Sequence, residues 1–160
     1  SLGSVKFNET IAVAQSEIFR LGFQIIHAVG GKNEVPVAQA GYFPISYIED
    51  MASAYAACDL VISRSGAVTV TETGVLGIYT LYVPLPLGNG EQSENAKVVV
   101  EVGGGEMINN ADFTAEWLRT NVNRTMAIAQ RYFISGTRID FPLDADAEIG
   151  RRALKVLANE

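Results

Sequence analysis

The sequence predicts an α/β fold in which helices cover both faces of a parallel sheet. Short apolar segments alternate at least five times with segments of helical periodicity, and the turns between them are short. This alternation is typical of parallel strands joined by right-handed helical crossovers. Of the 160 residues, 48% are hydrophobic and 19% are charged, so the chain can bury a core. The sequence therefore predicts one Rossmann-like domain.

The predicted strands are short, mostly apolar and bounded by turn residues. Gly30 and Gly31 follow the first strand, and Pro84 and Pro86 close the fourth. The last strand precedes Asn110 and has the weakest pattern. The predicted strands are residues 23–29, 42–46, 59–63, 79–85 and 107–109.

The predicted helices carry apolar residues at helical spacing. In the first, Ile11, Ala14 and Ile18 share one face, and Gly22 ends the helix. Residues 32–41 are consistent with either a short helix or a loop. The predicted helices are residues 8–21, 51–57, 68–76 and 91–102, followed by helical segments in 114–159 that residues 136–143 separate.

Bulk composition excludes several classes of function. The formal net charge is −6, and no cluster of Lys or Arg indicates a nucleic-acid partner. No apolar run approaches the roughly 20 residues that a membrane span needs. The single cysteine, Cys58, cannot form an internal disulfide, and the single histidine, His27, is predicted to be a core or loop residue. No metal site is predicted, because His27 has no second His or Cys to pair with.

Ligands of open parallel sheets bind beyond the carboxyl ends of the strands. Three places where a helix begins qualify in this chain: residues 1–4, 63–72 and 84–95. The chain starts within a glycine-containing stretch and without methionine, and we expect it to be a fragment of a longer protein.

The stretch "SRSGAVTVTE", residues 63–72, predicts an anion site. Ser65, Gly66 and Ala67 have small side chains, so a phosphate could approach the unpaired N–H groups of the helix N-terminus. Thr69 adds a hydroxyl, and Glu72 lies one turn further on the same face. A carboxylate there suits a neutral diol such as ribose better than a phosphate.

A capping box is the alternative for this stretch. Thr69 and Glu72 fit the S/T-x-x-E pattern, in which Glu72 would bond back to the N–H of Thr69. The spacing alone leaves both interpretations open, and the strand-to-helix context favours the ligand. The other two turns, residues 1–4 and 87–95, are weak signals by themselves.

Residues 47–96, "YIEDMASAYAACDLVISRSGAVTVTETGVLGIYTLYVPLPLGNGEQSENA", closely resemble the MurG family in its actinobacterial form. Three motifs carry the resemblance: an aromatic-Ile-acid-Asp-Met segment at 47–51, Arg-Ser-Gly-Ala-x-Thr-x-x-Glu at 64–72 and Gln-x-x-Asn-Ala at 92–96. The resemblance extends from residue 1 to about residue 114. It implies one half of a GT-B glycosyltransferase: residues 1–160 would be the C-terminal nucleotide-sugar-binding domain, without the N-terminal acceptor domain.

The resemblance also implies a site for UDP-N-acetylglucosamine. Ile48 and Met51 would contact the uracil, and Glu72 would accept hydrogen bonds from the ribose hydroxyls. Gln92 and Glu91 would contact the N-acetylglucosamine, although Glu91 replaces a common Gln. The remaining implied residues are Ser1, Gly3, Ala67, Val68 and Thr69 near the diphosphate, and Asn95 in support of the sugar loop.

The implied reaction is inverting, metal-independent transfer of N-acetylglucosamine from UDP-N-acetylglucosamine to lipid I, forming lipid II in peptidoglycan synthesis. No cofactor is expected. The acceptor site and any catalytic base are expected in the missing N-terminal domain, so the fragment alone would be inactive. The resemblance also implies a cytoplasmic location on the inner face of the cell membrane, with membrane contact mainly through the other domain. Two alternatives remain open: an epimerase-like isomerase of UDP-N-acetylglucosamine, and a non-catalytic nucleotide-binding domain.

Overall fold

The computed structural model describes residues 4–86 and 89–139. Helices and strands alternate through most of this part of the chain. In chain order the elements are α1 (Val5–Arg20), β1 (Ile25–Ala28), β2 (Tyr42–Ile45), α2 (Met51–Ala56), β3 (Val61–Ser63), α3 (Ala67–Leu76), β4 (Thr80–Tyr82), α4 (Glu91–Glu101), β5 (Gly105–Met107) and α5 (Ala115–Ser135).

All five strands of the described ranges pair in parallel, which confirms the predicted α/β class. They form two sheets instead of one, with β1 beside β2 in the first and the order β3-β4-β5 in the second. Side-chain packing holds the two sheets together: Tyr42 of β2 and Leu81 of β4 belong to the same buried cluster.

Helices lie on opposite faces of the second sheet, as predicted. Leu81 packs in the cluster that contains Ile11 of α1 and Leu118 of α5. The next residue, Tyr82, packs with Val70 of α3 and with residues of α4. Successive residues of a strand point to opposite faces, so α1 and α5 cover one face while α3 and α4 cover the other.

Several element boundaries differ from the prediction, and two of the differences have a clear physical reason. Helix α1 starts three residues earlier because Ser4 caps it, accepting a hydrogen bond from the N–H of Phe7 at 3.5 Å. Strand β5 spans Gly105–Met107 and so starts two residues before the predicted strand 107–109. A Cβ at Gly105 would lie 2.4 Å from the carbonyl oxygen of Thr80, so only glycine lets β5 pair this closely with β4.

The segment 32–41 is a loop with one isolated bridge between Gln39 and Tyr42. Helix α5 confirms the first part of the predicted helical tail. The helices predicted after residue 139 lie outside the described residues.

Candidate functional site

The carboxyl ends of β3 and β4 lie at the same edge of their parallel sheet, and helices α3 and α4 begin there. Arg64 brings the start of α1 to this edge as well. Its guanidinium donates to the carbonyl oxygens of Val83 at 2.9 Å and Pro84 at 3.2 Å, and to Oγ of Ser4 at 3.2 Å. Ser4, the turn before α3 and the residues that follow β4 therefore lie close together.

The N-terminus of α3 is open. Gly66 is its N-cap and makes no side-chain capping bond. The first backbone bond of the helix runs from the N–H of Val70 to the carbonyl of Gly66 at 3.0 Å. In the described ranges, the N–H groups of Ala67, Val68 and Thr69 have no acceptor, and Val68 is 70% exposed. Three donors and the positive end of a helix dipole thus remain available to an anion.

The capping-box alternative is wrong. The helix begins at Ala67, so Thr69 is its third residue and is not an N-cap. The carboxylate of Glu72 accepts a hydrogen bond from the hydroxyl of Tyr55 on α2, at 2.9 Å from Oε2. Glu72 is half-buried and lies one turn beyond the open N–H groups. Its carboxylate therefore lies close to these N–H groups and is free of any capping role.

Burial raises the pKa of Tyr55, and the hydrogen bond to Glu72 and its negative charge raise the pKa further. The phenol therefore stays protonated at neutral pH and acts as the donor in this bond. Burial also lowers the pKa of Arg64 from its very high ordinary value. The Arg64 guanidinium lies over the ring of Phe7, 4.9 Å from the ring centroid, and adds positive charge at this edge.

The predicted uracil residues flank the start of α2. Ile48 is half-buried, and Met51, the first residue of the helix, is 37% exposed. Asp50 caps this helix by accepting from the N–H of Ser53 at 3.0 Å. The same short helix carries Tyr55 at its other end, so α2 connects the predicted base site to Glu72.

The predicted sugar residues lie at the start of α4. Glu91 is exposed, while Oε1 of Gln92 accepts from the N–H of Leu85 at 2.9 Å. The side-chain amide of Asn95 donates to the carbonyl of Ser65 at 3.1 Å, which ties α4 to the turn before α3. A cavity of about 370 Å³ opens between this helix start, residues 84–86 and residues 109–111.

The structure also bears on His27, on metal binding and on the N-terminal residues of the predicted site. His27 is a core residue, as predicted: Nδ1 lies 2.9 Å from the hydroxyl of Tyr42 and Nε2 lies 3.0 Å from Oδ1 of Asn8. In residues 4–86 and 89–139, no three His, Cys, Asp or Glu side chains group as metal ligands would. The predicted diphosphate residues Ser1 and Gly3 lie outside the described part of the chain.

The sequence analysis assigned no role to Tyr55 or Arg64. Tyr55 lies between alanines on a short helix, and from sequence an aromatic residue in that position is expected to be an ordinary core side chain. Its contact with Glu72 joins residues 17 positions apart, and only the fold reveals it. Arg64 belongs to the motif at 64–72, but the three atoms that accept its hydrogen bonds lie in segments far from it in sequence.

No helix of the described ranges is both long and apolar enough to cross a bilayer.

Residues 1–138 match the family described as "Glycosyltransferase family 28 C-terminal domain". A relative from Corynebacterium glutamicum (strain R) is 48% identical over 118 residues, which are 74% of this chain and 33% of the relative. A relative from Streptomyces coelicolor is 41% identical over 157 residues, covering 95% of this chain and 41% of its own length. Both are named UDP-N-acetylglucosamine--N-acetylmuramyl-(pentapeptide) pyrophosphoryl-undecaprenol N-acetylglucosamine transferase.

Two solved structures share the fold. The crystal structure of Acinetobacter baumannii MurG superposes with a TM-score of 0.59 at 28% identity, over 68% of this chain and 34% of that one. The glycosyltransferase of kitacinnamycin superposes with a TM-score of 0.64 at 22% identity, over 82% of this chain and 35% of that one, which supports the fold alone. The chain spans between 33% and 41% of the lengths of the two curated relatives. These matches confirm the resemblance drawn from the motifs, and the chain belongs to the glycosyltransferase family 28 C-terminal domain family.

Proposed function

We propose that this chain is the donor-binding domain of a transferase that moves N-acetylglucosamine from UDP-N-acetylglucosamine to lipid I, as the names of its relatives suggest. One observation carries the proposal. The uncapped N-terminus of α3 presents three free N–H groups, and a carboxylate held by Tyr55 lies one turn beyond them. A diphosphate next to a ribose presents the matching pattern of charge and hydroxyl donors.

Each part of the donor has a place in this arrangement. The diphosphate would accept hydrogen bonds from the N–H groups of Ala67, Val68 and Thr69. The ribose hydroxyls would donate to Glu72. The uracil would lie against Ile48 and Met51, the N-acetylglucosamine would face Glu91 and Gln92 on α4, and Ser1 and Gly3 would add to the diphosphate contacts.

The chemistry follows from where charge develops. In an inverting displacement, a hydroxyl of the acceptor attacks the anomeric carbon, and UDP leaves with additional negative charge on its β-phosphate. Fixed N–H dipoles at the start of α3 stabilise that charge without reorganising, and the nearby guanidinium of Arg64 adds positive potential. Asn95 supports the reaction indirectly, because its bond to Ser65 positions the turn that precedes these dipoles.

The other half of the reaction belongs to a second domain. We propose that residues 1–160 form the C-terminal domain of a two-domain GT-B enzyme, since the chain spans 33% and 41% of the two relatives and about a third of each solved structure. The acceptor site, the base and the main contact with the inner face of the cell membrane would lie in the other domain. The isolated chain would then be inactive. The relatives are named as transferases, which favours transfer over the epimerase alternative.

Calorimetric titration of the full-length protein with UDP-N-acetylglucosamine tests the role of Glu72. We expect Glu72→Ala to weaken binding by about 1–3 kcal/mol, because charge-assisted hydrogen bonds to the ribose are lost. Glu101→Ala is a matched control, since Glu101 is an exposed carboxylate at the C-terminal end of α4, away from the proposed site at the start of that helix. If Glu72→Ala lowers the melting temperature but leaves the affinity unchanged, Glu72 supports the fold only and the proposed site is wrong.

A further inference from the structure

The carboxylate of Glu72 makes a single hydrogen bond to the rest of the described chain. Its Oε2 accepts from the hydroxyl of Tyr55, and no Lys or Arg of the described ranges forms an ion pair with it. An ionised carboxylate has about four lone-pair positions, so about three remain open after this bond. Glu72 is half-buried, so leaving those positions without donors has a cost.

Tyr55 is well placed to orient this carboxylate. The residue is only 8% exposed, so burial restricts the ring, and the hydroxyl reaches across from α2 to α3. The side chain of Glu has three rotatable bonds and would otherwise sample several rotamers. A single fixed donor selects the rotamers that keep Oε2 at the Tyr55 hydroxyl.

The position of Tyr55 is itself set by a capped helix. Asp50 accepts from the N–H of Ser53 and fixes the start of α2, and Tyr55 follows one turn later. The first residue of the same helix, Met51, is one of the proposed uracil contacts. Helix α2 therefore carries both a proposed uracil contact, Met51, and the tyrosine that holds the proposed ribose contact, Glu72.

We propose that Tyr55 is a positioning residue that orients the carboxylate of Glu72 toward the two ribose hydroxyls, so that the pair sets specificity for ribose over 2′-deoxyribose. This inference rests on the proposed function, because it takes the diol at Glu72 to be ribose. Tyr55 does not contact the nucleotide in this account; it acts through Glu72. The hydroxyl of Tyr55 and the ribose hydroxyls occupy different lone pairs of the same carboxylate.

The test is calorimetric titration of the full-length protein with UDP and with 2′-deoxy-UDP. The ratio of the two affinities measures how well the 2′-hydroxyl is recognised, and it does not depend on the folded fraction because both ligands titrate the same preparation. We expect wild type to prefer UDP by about tenfold, the effect of one charge-assisted hydrogen bond. In Tyr55→Phe, which keeps the ring and removes the hydroxyl, this preference should fall at least threefold.

Tyr132→Phe is the matched control. The hydroxyl of Tyr132 is buried and has no hydrogen-bond partner among the described residues, so its removal should leave the ratio unchanged. A purely structural role for Tyr55 would weaken both ligands equally. A wild-type ratio in Tyr55→Phe therefore overturns the inference.

Glu72→Gln separates this inference from the proposed function. If Glu72→Gln loses the preference for UDP while Tyr55→Phe retains it, Glu72 recognises ribose without help from Tyr55, and only the inference fails. If neither variant changes the ratio, the ribose assignment of Glu72 fails and the inference fails with it. Loss of the preference in both variants supports the pair as proposed.

Discussion

Gly66 joins β3 to α3 and leaves the start of the helix bare. Its φ of −63° is one that any residue can adopt, and a Cβ at this position would meet no atom within 4 Å. Glycine is a better N-cap than alanine, but neither backbone conformation nor packing requires it here. The proposed diphosphate does, because a methyl group at the N-cap would restrict its approach to the N–H groups of Ala67 and Val68.

Gly66→Ala should therefore separate binding from stability. We expect only a small loss of stability, about 1 kcal/mol or less, because alanine fits the backbone but is a poorer N-cap than glycine. Affinity for UDP should fall about tenfold, or about 1.4 kcal/mol, while affinity for uridine is unchanged. Calorimetry with both ligands measures this, and equal weakening of UDP and uridine would contradict the diphosphate assignment.

A second prediction at the residue scale concerns His27 and the pH dependence of stability. Burial lowers its pKa, so the folded protein resists protonation while the unfolded chain takes up a proton near the ordinary pKa of about 6.5. The unfolded state then binds more protons as pH falls, so stability decreases as pH falls through the ordinary pKa of about 6.5, until the folded state is protonated as well.

We expect His27→Gln to flatten the pH dependence of unfolding in this window, by at most about 1.4 kcal/mol per pH unit. His27 is the only histidine of the chain, and the difference between wild type and variant cancels histidines elsewhere in the full-length protein. Urea denaturation at several pH values gives the slope. Identical slopes for the two proteins would show that burial does not control this titration.

At the scale of elements, periodicity predicted most of the helices and strands. Helices α3 and α4 were predicted within one residue of their observed bounds, because apolar spacing and flanking glycines mark them. Strand β5 was misplaced because Gly105 reads as a turn residue in sequence. Glycine is needed at this position because the carbonyl of Thr80 on the neighbouring strand lies too close for a side chain. A local sequence pattern cannot show a contact with a distant segment.

Gly105→Ala should therefore destabilise the second sheet. The added Cβ would meet the carbonyl oxygen of Thr80 at 2.4 Å, so β5 would have to move away from β4. We expect a loss of about 1–3 kcal/mol in the free energy of unfolding, measured by urea denaturation. Gly31→Ala is the control, because a Cβ there meets nothing within 4 Å. Equal effects of the two substitutions would refute the packing explanation.

Only part of the candidate site could be predicted from the sequence. The small residues and carboxylate of 64–72 identified the strand-to-helix turn, but the sequence alone could not exclude a capping box. The start of α3 at Ala67 excludes it. The contacts of Arg64 and Tyr55 were out of reach, since each joins segments whose proximity depends on the whole fold.

At the scale of the whole molecule, the described fold brings the starts of α1, α3 and α4 to one edge. Arg64 and Asn95 make the connecting hydrogen bonds, so the proposed phosphate and sugar contacts lie on a cross-linked surface. This is the surface that a second domain would face in the proposed enzyme.

A crystal structure of the full-length protein with UDP tests the central claim most directly. Our account predicts phosphate oxygens within hydrogen-bond distance, about 2.7–3.2 Å, of the N–H groups of Ala67, Val68 or Thr69. It also predicts both ribose hydroxyls on Glu72, with Tyr55 still bonded to Oε2. A uridine nucleotide bound elsewhere, or an α3 N-terminus occupied by protein side chains in the complex, would contradict the account.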